Sequence, residues 1–540
     1  MKIRQFVGLV LPRNIERSGL IGLSGHLKTR RRFLTQSIFP QGEPNDENDT
    51  DNDKGSDKSA RGSNYRDTAF KAFESAAVTL ASISVLFISG YLYHQYYKAK
   101  VLKKIQIAFE AGDPALDLAM RSKTGNGEAD WVVREEQDLI DRVVAGKVPN
   151  RYFLLIGEKG TGKTSMLLEA MRRVAGHNCA MFEAHADPEI VRIRLGKALN
   201  YDYHEDYIGS LFSIRGPRDT TALLDIERAF DKLEKVALEK VRATKIPLVV
   251  IVNSTHLLRE DKDGEDLMEL LQQRAESFAA SGLVTFIFNS DEYWVYERFK
   301  KLSTRLEVVT IKDLDRSRSV EAIRSWRKKY FNEEVPEAVG DEIYNIIGGR
   351  PQFLNRVAAH QNMVSHALSI VEKEKTWLLN KCGLLGSDMD DDVMESGKFS
   401  GSAMLLMKAL VDMDKAYRTK NIVAATDNHY LPSLPLWRAR QVMTRPDYIQ
   451  RYDHLNIFTI DSHSMVRADS VAMMHAFRQI INEDGFDDLL EETLDRVSEI
   501  ESLGRTRELV AKDLVGGVGA YEVTIGPNKT AIVKVVNPEQ

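Results

Sequence analysis

A glycine-rich segment after an apolar run is the part of this sequence whose chemistry is easiest to name. The apolar run 152–156 has strand character, the next eight residues read GEKGTGKT, and residues 165–173 have helical character. Strand, GxxxxGK[ST] loop and helix in this order are the context that the motif requires. The glycines let backbone N–H groups surround phosphates, and the helix N-terminus adds partial positive charge. The residues expected to contact the phosphates are Gly157, Glu158, Lys159, Gly160, Thr161, Gly162, Lys163, Thr164 and Ser165.

Two side chains of this loop have specific expected roles. Lys163 should reach the β- and γ-phosphates of a nucleoside triphosphate, and the hydroxyl of Thr164 should ligate Mg²⁺. The expected cofactors are therefore ATP and Mg²⁺.

The loop and the residues before it resemble a known class of ATPases. Residues 132–140, VVREEQDLI, taken with GEKGTGKTSML, resemble the hGREeEl…GxxGxGKT pattern of AAA+ ATPases of the origin-recognition and STAND type. The family glycine before the arginine is Val133 here, so the match is partial, and the stretch alone also suits an ordinary amphipathic helix. The resemblance implies an α/β P-loop NTPase, with a parallel sheet flanked by helices and followed by a helical lid.

Both acids that this family places after the second strand are absent. Residues 246–252, IPLVVIV, have the continuous apolar character of a strand buried on both faces. The resemblance places Asn253 at the Mg²⁺-orienting position and Ser254 at the position of the water-activating acid. Asn253 can still accept a hydrogen bond from Mg²⁺-bound water, but Ser254 cannot act as a general base near neutral pH. We therefore expect weak hydrolysis, or binding without turnover.

An acid from elsewhere would restore hydrolysis. The candidates are Glu183, Asp291 and Glu292, or a residue of a neighbouring subunit. The alternative is that the acidic pair follows a different strand, although no other apolar run in the chain ends in one as well.

Three further residues have catalytic roles if the resemblance holds. Asn289 follows the apolar run 283–288 and corresponds to sensor 1, which orients the attacking water; the alternative is a helix cap in this turn. Arg305 could reach a neighbour's γ-phosphate, or be a solvated surface arginine. Arg350, in the GGRPxxL motif after an amphipathic helix at 314–330, corresponds to sensor 2; the alternative is a glycine C-cap followed by proline at N1.

The C-terminal part predicts a winged helix. Residues 456–460 have strand character, a polar turn follows, and residues 465–467 can form the partner strand before a final helix. Over about 130–485 the chain resembles a group of fungal mitochondrial AAA-type ATPases. Winged helices bind DNA or serve protein contacts. The arginines between 438 and 451 are diluted by Asp447, Asp453, Asp461 and Asp469, so nucleic-acid binding is the weaker expectation.

The N-terminal region has features that predict where the protein is located in the cell. Residues 1–40 hold eight basic side chains and one acid, which is typical of a mitochondrial presequence, although a basic tail is the alternative. Residues 41–60 reverse this charge and have almost no apolar side chains, which predicts a disordered acidic linker. The uncharged run 76–93 is long enough for one membrane span, and lysines follow it from Lys98. Localisation to the mitochondrial inner membrane is expected, with the ATPase domain on the matrix side by the lysine distribution; a stop-transfer span would give the opposite orientation.

The remaining composition excludes some classes of protein. The net charge of −5 argues against bulk nucleic-acid binding, and the two cysteines predict neither disulfides nor a zinc site. The absence of an HExxH motif argues against a metalloprotease. The predicted layout is presequence (1–40), linker (41–67), transmembrane helix (76–97), juxtamembrane helical linker (98–130), ATPase core (131–311), lid (312–380), winged helix (401–485), and C-terminal helix with β-hairpin (486–540).

Three functions agree with these features. The first is a membrane-anchored ATPase in which the nucleotide state controls self-association or a protein partner. The second is a nucleotide-stabilised scaffold without hydrolysis, favoured by Asn253 and Ser254. The third is an ATPase associated with mitochondrial DNA.

Overall fold

The computed structural model describes residues 61–110, 112, 132, 134–203, 221–420, 430–515, 520–525 and 531–536. The expected presequence and the linker residues up to 60 lie outside these ranges, as does most of the predicted juxtamembrane linker after residue 112. The chain divides into two compact units, residues 1–81 and 82–540.

Helix α1 contains the predicted membrane span. It runs over Arg61–Ala108, so it begins inside the range expected to be linker. Its apolar side chains, including Phe87 and Leu80, are mostly exposed to solvent, which a soluble helix packed in a core would not show. Within the described residues it is the one helix long and apolar enough to cross a membrane, judged by length and composition. Its C-terminal end is different, because Ile105 and the following Phe109 are buried in the core of the next domain.

A five-stranded parallel sheet forms the centre of that domain. Its strands are β1 (Tyr152–Ile156), β2 (Cys179–Glu183), β3 (Leu248–Asn253), β4 (Val284–Ser290) and β5 (Leu306–Thr310). Their spatial order is β2-β3-β4-β1-β5. The buried strands are almost continuously apolar because helices cover both faces of the sheet. The fold class predicted from the sequence is confirmed.

One helix of this domain precedes β1, and the others connect consecutive parallel strands. They are α2 (Glu135–Val144), α3 (Lys163–Arg173), α4 (Pro188–Ala198), α5 (Ala222–Thr244), α6 (Lys262–Ser281) and α7 (Trp294–Leu302). Parallel neighbours need such crossovers, and the carboxyl ends of all five strands therefore meet at one edge.

A helical lid follows β5. It consists of α8 (Arg316–Phe331), α9 (Glu337–Ile347), α10 (Pro351–Ala358) and α11 (Met363–Cys382). The apolar face predicted for α8 is buried, with Ile323 and Trp326 in the lid core. α9 stops where Gly348 takes a positive φ of 71°, and the proline at the start of α10 suits the first turn of a helix.

Helix α12 (Met394–Lys420) spans residue 401, the predicted start of the winged helix. The other elements of the winged helix are β6 (Ser433–Pro435), α13 (Leu436–Met443), α14 (Ile449–His454), β7 (Phe458–Ile460), β8 (Met465–Ala468) and α15 (Val471–Ile481). β8 lies between β6 and β7 in an antiparallel sheet. The sequence missed β6, which holds only three residues and ends in proline.

The C-terminal tail contains α16 (Phe486–Val515), β9 (Ala520–Ile525) and β10 (Ala531–Val536). β9 and β10 pair in antiparallel register, with Val533 opposite Val523.

Candidate functional site

The predicted phosphate-binding loop lies between β1 and α3, at the carboxyl edge of the sheet. Gly160 and Gly162 have φ values of 85° and 95°, which residues with a Cβ atom rarely adopt. Gly157 is required for a different reason, because a Cβ atom there would lie 2.3 Å from the carbonyl oxygen of Ile311. Lys159 and Ser165 are exposed, whereas Thr161 is buried and donates to the Glu158 carbonyl at 2.9 Å. The loop therefore has the backbone shape that phosphate binding needs.

The amine of Lys163 is buried and fully engaged. It donates to the carbonyl oxygens of Gly157 at 2.8 Å and Glu158 at 2.9 Å. Its charge is balanced by Asp291, whose Oδ1 lies 2.7 Å from Nζ. A carboxylate thus stands beside the lysine that was expected to bind phosphate.

Thr164, Asn253 and Asn289 come together as a neutral polar cluster, as their roles would require. The Oδ1 atom of Asn253 accepts from the Thr164 hydroxyl at 3.0 Å and from Nδ2 of Asn289 at 2.6 Å. Asn289 also donates to the Thr164 hydroxyl at 3.0 Å. Its own Oδ1 is buried without a hydrogen-bond partner among the described residues.

This cluster fits a Mg²⁺ ion bound together with a nucleotide. Mg²⁺ prefers oxygen ligands and keeps several waters when phosphates supply the charge. Thr164 and Asn253 would hold the ion, and the unpartnered Oδ1 of Asn289 is a further oxygen at the same place. When bound, the ion would neutralise charge on the phosphates. Because none of the three is a carboxylate, the protein itself adds no negative charge there.

Ser254 does not replace the missing acid. It has a positive φ of 54° at the start of a short 3₁₀ turn, Thr255–Leu257. Two of the other candidate acids are engaged elsewhere. The half-exposed Glu183 lies 3.6 Å from Arg194, and Glu292 accepts from Trp294 Nε1 at 2.8 Å. Only Asp291 contacts the lysine of the loop.

Arg305 and Arg350 lie in contrasting surroundings. Arg305 is exposed and pairs with Glu276 at 3.2 Å. Its carbonyl accepts from the amide of Tyr152, the first residue of β1, so it lies at the sheet edge opposite the loop. Within its own chain it cannot contact a bound phosphate, and the role predicted for it needs a neighbouring chain.

Arg350 is among the largest fully buried side chains of the described residues. Its Nε lies 3.2 Å from Asp313, Nη1 pairs with the carboxylate of Asp469, and Nη2 donates to the Asp469 carbonyl at 2.5 Å. Burial alone would lower the pKa of Arg350, but the two carboxylates outweigh it and raise the pKa. In this conformation the residue predicted as sensor 2 joins the lid to the winged helix.

A pocket of about 640 Å³ opens beside the loop, between the ATPase core and the lid. This volume is typical of a small-molecule site. Its lining combines apolar and cationic side chains. Its lining includes Val132, Arg134, Met166, Leu314, Trp326, Lys329, Tyr330, Gln352 and Arg356. The lid contacts the loop at this pocket, because the amide of Gln352 donates to the Gly160 carbonyl at 3.3 Å.

Arg134 is a binding candidate that the sequence did not single out. Its guanidinium is buried and donates through Nη1 to the Lys312 carbonyl at 2.9 Å. Nη2 has no hydrogen-bond partner among the described residues and lies beside Gly162. Burial lowers the pKa of Arg134. A buried cation with a free donor beside a phosphate-binding loop suits a nucleotide anion. The position of Arg134 in the hGREeEl-like segment was the sequence feature that could have predicted this role.

The winged helix packs directly on the phosphate-binding loop and on the segment that follows β4. Arg467 on β8 forms an ion pair with Glu158 of the loop. The carboxylate of Asp453 on α14 accepts from the amide of Tyr293 at 3.0 Å. Beside it, His454 Nδ1 lies 2.6 Å from Glu292. The sequence does not predict these contacts, because Asp453 and Asp469 look in it like acids that only dilute a basic patch.

The turn between β7 and β8 makes further contacts with the core. Ser464 lies 2.8 Å from the Tyr293 hydroxyl, and Ser462 lies 2.6 Å from the Thr310 hydroxyl. Ile156 and Tyr293 also join the apolar core of the winged helix. Both α14 and the wing turn, which are the elements a winged helix uses to reach DNA, therefore face the ATPase core in this structure.

The parallel sheet, the loop and the lid define a P-loop ATPase with a C-terminal winged helix. Residues 130–287 match the AAA ATPase domain, and residues 380–501 match the family described as fungal AAA protein, C-terminal winged helix domain. The chain therefore carries an AAA ATPase domain followed by the winged-helix domain of fungal AAA proteins, and this part of the predicted resemblance is confirmed. An AAA ATPase domain implies nucleotide binding.

Solved structures with a similar arrangement are origin-recognition and Cdc6-type ATPases among others. A Walker-type ATPase of Pyrococcus abyssi is 15% identical over 65% of this chain and 96% of its own, with a TM-score of 0.41. The ORC2 protein of Aeropyrum pernix is 9% identical over 70% of this chain and 98% of its own, with a TM-score of 0.35. Cdc6p of Pyrobaculum aerophilum is 11% identical over 68% of this chain and 96% of its own, with a TM-score of 0.30. Such distant likenesses do not identify a ligand or partner. No match was found among curated proteins.

Proposed function

We propose that this chain is an ATP-binding AAA+ protein anchored in the mitochondrial inner membrane by α1. Its nucleotide state controls self-association or the binding of a protein partner, and it hydrolyses ATP weakly. The observation that carries this proposal is the docking of the winged helix on the nucleotide site. Arg467 contacts the loop through Glu158, while Asp453 and His454 hold the segment that follows β4.

ATP binding and the docking of the winged helix are thermodynamically linked. ATP must take the amine of Lys163 from Asp291, and Asp291 belongs to the same short segment as Glu292 and Tyr293. A ligand that shifts this segment changes the free energy of its contacts with α14. By thermodynamic reciprocity, a partner that moves the winged helix changes the affinity for ATP.

The test of nucleotide control uses the full chain in detergent or nanodiscs. We expect fluorescent ATP to bind, and light scattering or the protease sensitivity of the winged helix to differ between nucleotide-free and ATP-bound protein. The control is Lys163→Ala, which should lose ATP binding and the difference together. Tight ATP binding with no change in size or protease sensitivity contradicts nucleotide control but leaves ATP binding intact.

The proposed localisation is tested separately. The argument for it is the basic, acid-poor start of the chain and the exposed apolar surface of α1. We expect the tagged full chain in a fungal host to remain in the mitochondrial inner-membrane fraction after alkaline extraction. A C-terminal tag should be protected from protease in mitoplasts. Cleavage of the tag in mitoplasts contradicts the matrix orientation alone.

The second candidate is a nucleotide-stabilised scaffold that does not hydrolyse ATP. The neutral cluster of Thr164, Asn253 and Asn289 favours it, because none of these three side chains is a carboxylate that could orient Mg²⁺ or activate water. Single-turnover hydrolysis by the full chain separates the two candidates. A DNA-associated role has less support, because α14 and the wing turn contact the ATPase core.

A further inference from the structure

The carboxylate that faces the loop lysine comes from outside the expected acidic pair. Asp291 follows β4 directly, and its Oδ1 lies 2.7 Å from Nζ of Lys163. Lys163 is expected at the β- and γ-phosphates, so a carboxylate at this distance lies next to the position of the γ-phosphate. The side chain is partly exposed, which leaves room for water beside it.

A neighbouring histidine fixes the backbone of Asp291. Nδ1 of His256 accepts from the Asp291 amide at 3.1 Å, and Nε2 lies 3.7 Å from the Asp291 carboxylate. Burial lowers the pKa of His256, although the nearby Asp291 carboxylate acts in the opposite direction. Lys163 and His256 therefore approach the same carboxylate from two different elements.

No other candidate acid has this geometry. Glu183 is half exposed and pairs with Arg194, while Glu292 is engaged by Trp294 and by His454 of the winged helix. The cluster at the ends of β3 and β4 is neutral. If water is activated by a residue of this chain, Asp291 is the described carboxylate in position to do so.

We propose that Asp291 is the general base for ATP hydrolysis, in place of the acid that Ser254 does not supply. The proposal rests on the proposed binding of ATP at this loop. Lys163 transfers from Asp291 to the phosphates when ATP binds, which frees the carboxylate. Asp291 then accepts a proton from water as the water oxygen bonds to the γ-phosphorus. The bond from that phosphorus to the β–γ bridging oxygen breaks, ADP leaves with the electron pair, inorganic phosphate forms, and the proton passes to solvent.

The test compares binding with turnover in the full chain. Asp291→Asn should lower single-turnover hydrolysis by about 100-fold or more, the usual contribution of a general base. ATP binding, measured with a fluorescent analogue, should be retained or become tighter, because a carboxylate that competes for Lys163 has been removed. Asp291→Glu keeps the carboxylate and should retain part of the activity. Glu189→Gln, an exposed carboxylate on α4, is the matched control and should change neither quantity.

The outcomes separate this proposal from the proposed function. Hydrolysis unchanged in Asp291→Asn overturns the assignment, and so does an ATP-binding wild-type chain with no measurable turnover. If Asp291→Asn neither folds nor binds ATP, Asp291→Glu decides the test. The proposal then requires that Asp291→Glu folds and hydrolyses ATP, and it fails if this variant does not. A wild-type chain that does not bind ATP instead overturns the proposed function.

Discussion

Arg467 of the winged helix is ion-paired with Glu158, the second residue of the phosphate-binding loop. The two residues are 309 positions apart in the sequence, and both side chains are largely buried. The second carboxylate oxygen of Glu158 has no hydrogen-bond partner among the described residues. The loop that grips phosphate is thus joined to a domain that lies far away along the chain.

Breaking this pair should destabilise the docked winged helix. Arg467→Gln leaves the Glu158 carboxylate buried without its cation, which typically costs about 3–5 kcal/mol. We expect a clear fall in the thermal unfolding midpoint. Glu158→Gln in the same background should recover part of it, because the uncompensated charge is gone. The control is Arg445→Gln, whose pairing with Asp447 is on the surface. Equal effects of the two arginine substitutions would show that the buried pair is unimportant.

Arg350 gives a second prediction about the same domain boundary. Arg350→Met leaves Asp313 and Asp469 without their shared cation, and we expect a loss of about 3–5 kcal/mol of stability. Asp469→Asn should restore part of this loss. Arg316→Met removes the exposed pair with Asp341 and should have little effect on stability, because water screens both charges. A stable Arg350→Met protein with weakened ATP binding would instead support a sensor role with little structural contribution.

The strength of nucleotide binding should depend weakly on Mg²⁺, because Asn253 contributes no charge. Asn253→Asp keeps the acceptor used by Thr164 and Asn289 and adds a carboxylate. We expect Mg²⁺ to support ATP binding at about tenfold lower concentration, equivalent to about 1.4 kcal/mol. Asn253→Ala, which removes the acceptor, should shift the Mg²⁺ titration in the opposite direction. Identical titrations for all three proteins would place the metal elsewhere.

His454 should make the stability of the docked state depend on pH. Its hydrogen bond to Glu292 raises the pKa of His454 above the ordinary value of about 6.5, with Asp453 and Glu260 acting in the same direction. A raised folded-state pKa stabilises the folded protein fully below about pH 6.5, and the contribution is lost as pH rises through the raised value.

The measurement is the difference in unfolding midpoint between wild type and His454→Gln across this pH range. The difference should be largest at low pH and shrink as the pH rises. His463→Gln, which removes an exposed histidine of the wing turn and leaves the contact with Glu292 in place, is the control. A constant difference for His454→Gln would mean that the contact with Glu292 is not made by a charged imidazole.

Part of the site was predictable because its residues are close along the chain. The GxxxxGKT loop requires only the strand before it and the helix after it, and both lie where periodicity and apolar runs placed them. Asn253 and Asn289 follow apolar runs, and parallel strands bring their carboxyl ends together. Their meeting at Thr164 follows from the strand order, in which β4 lies between β3 and β1, and the structure supplied that order.

The contacts of the winged helix were not predictable in this way. Asp453 and Asp469 have the same local appearance as the exposed acids around them. Their partners, Tyr293 and Arg350, lie more than a hundred residues away. Nothing in composition or spacing distinguishes a buried carboxylate with a distant partner from a solvated one.

The sequence by itself determined the phosphate-binding loop, the parallel α/β class, the winged helix and the loss of both acids after β3. These properties depend on residue type and on neighbours within a few positions, so the chain encodes them locally. Only the tertiary structure decided that Asp291 faces Lys163, that Arg350 is enclosed between two carboxylates, and that the winged helix lies on the loop. Those relationships depend on how whole domains pack, where burial determines which charges find partners.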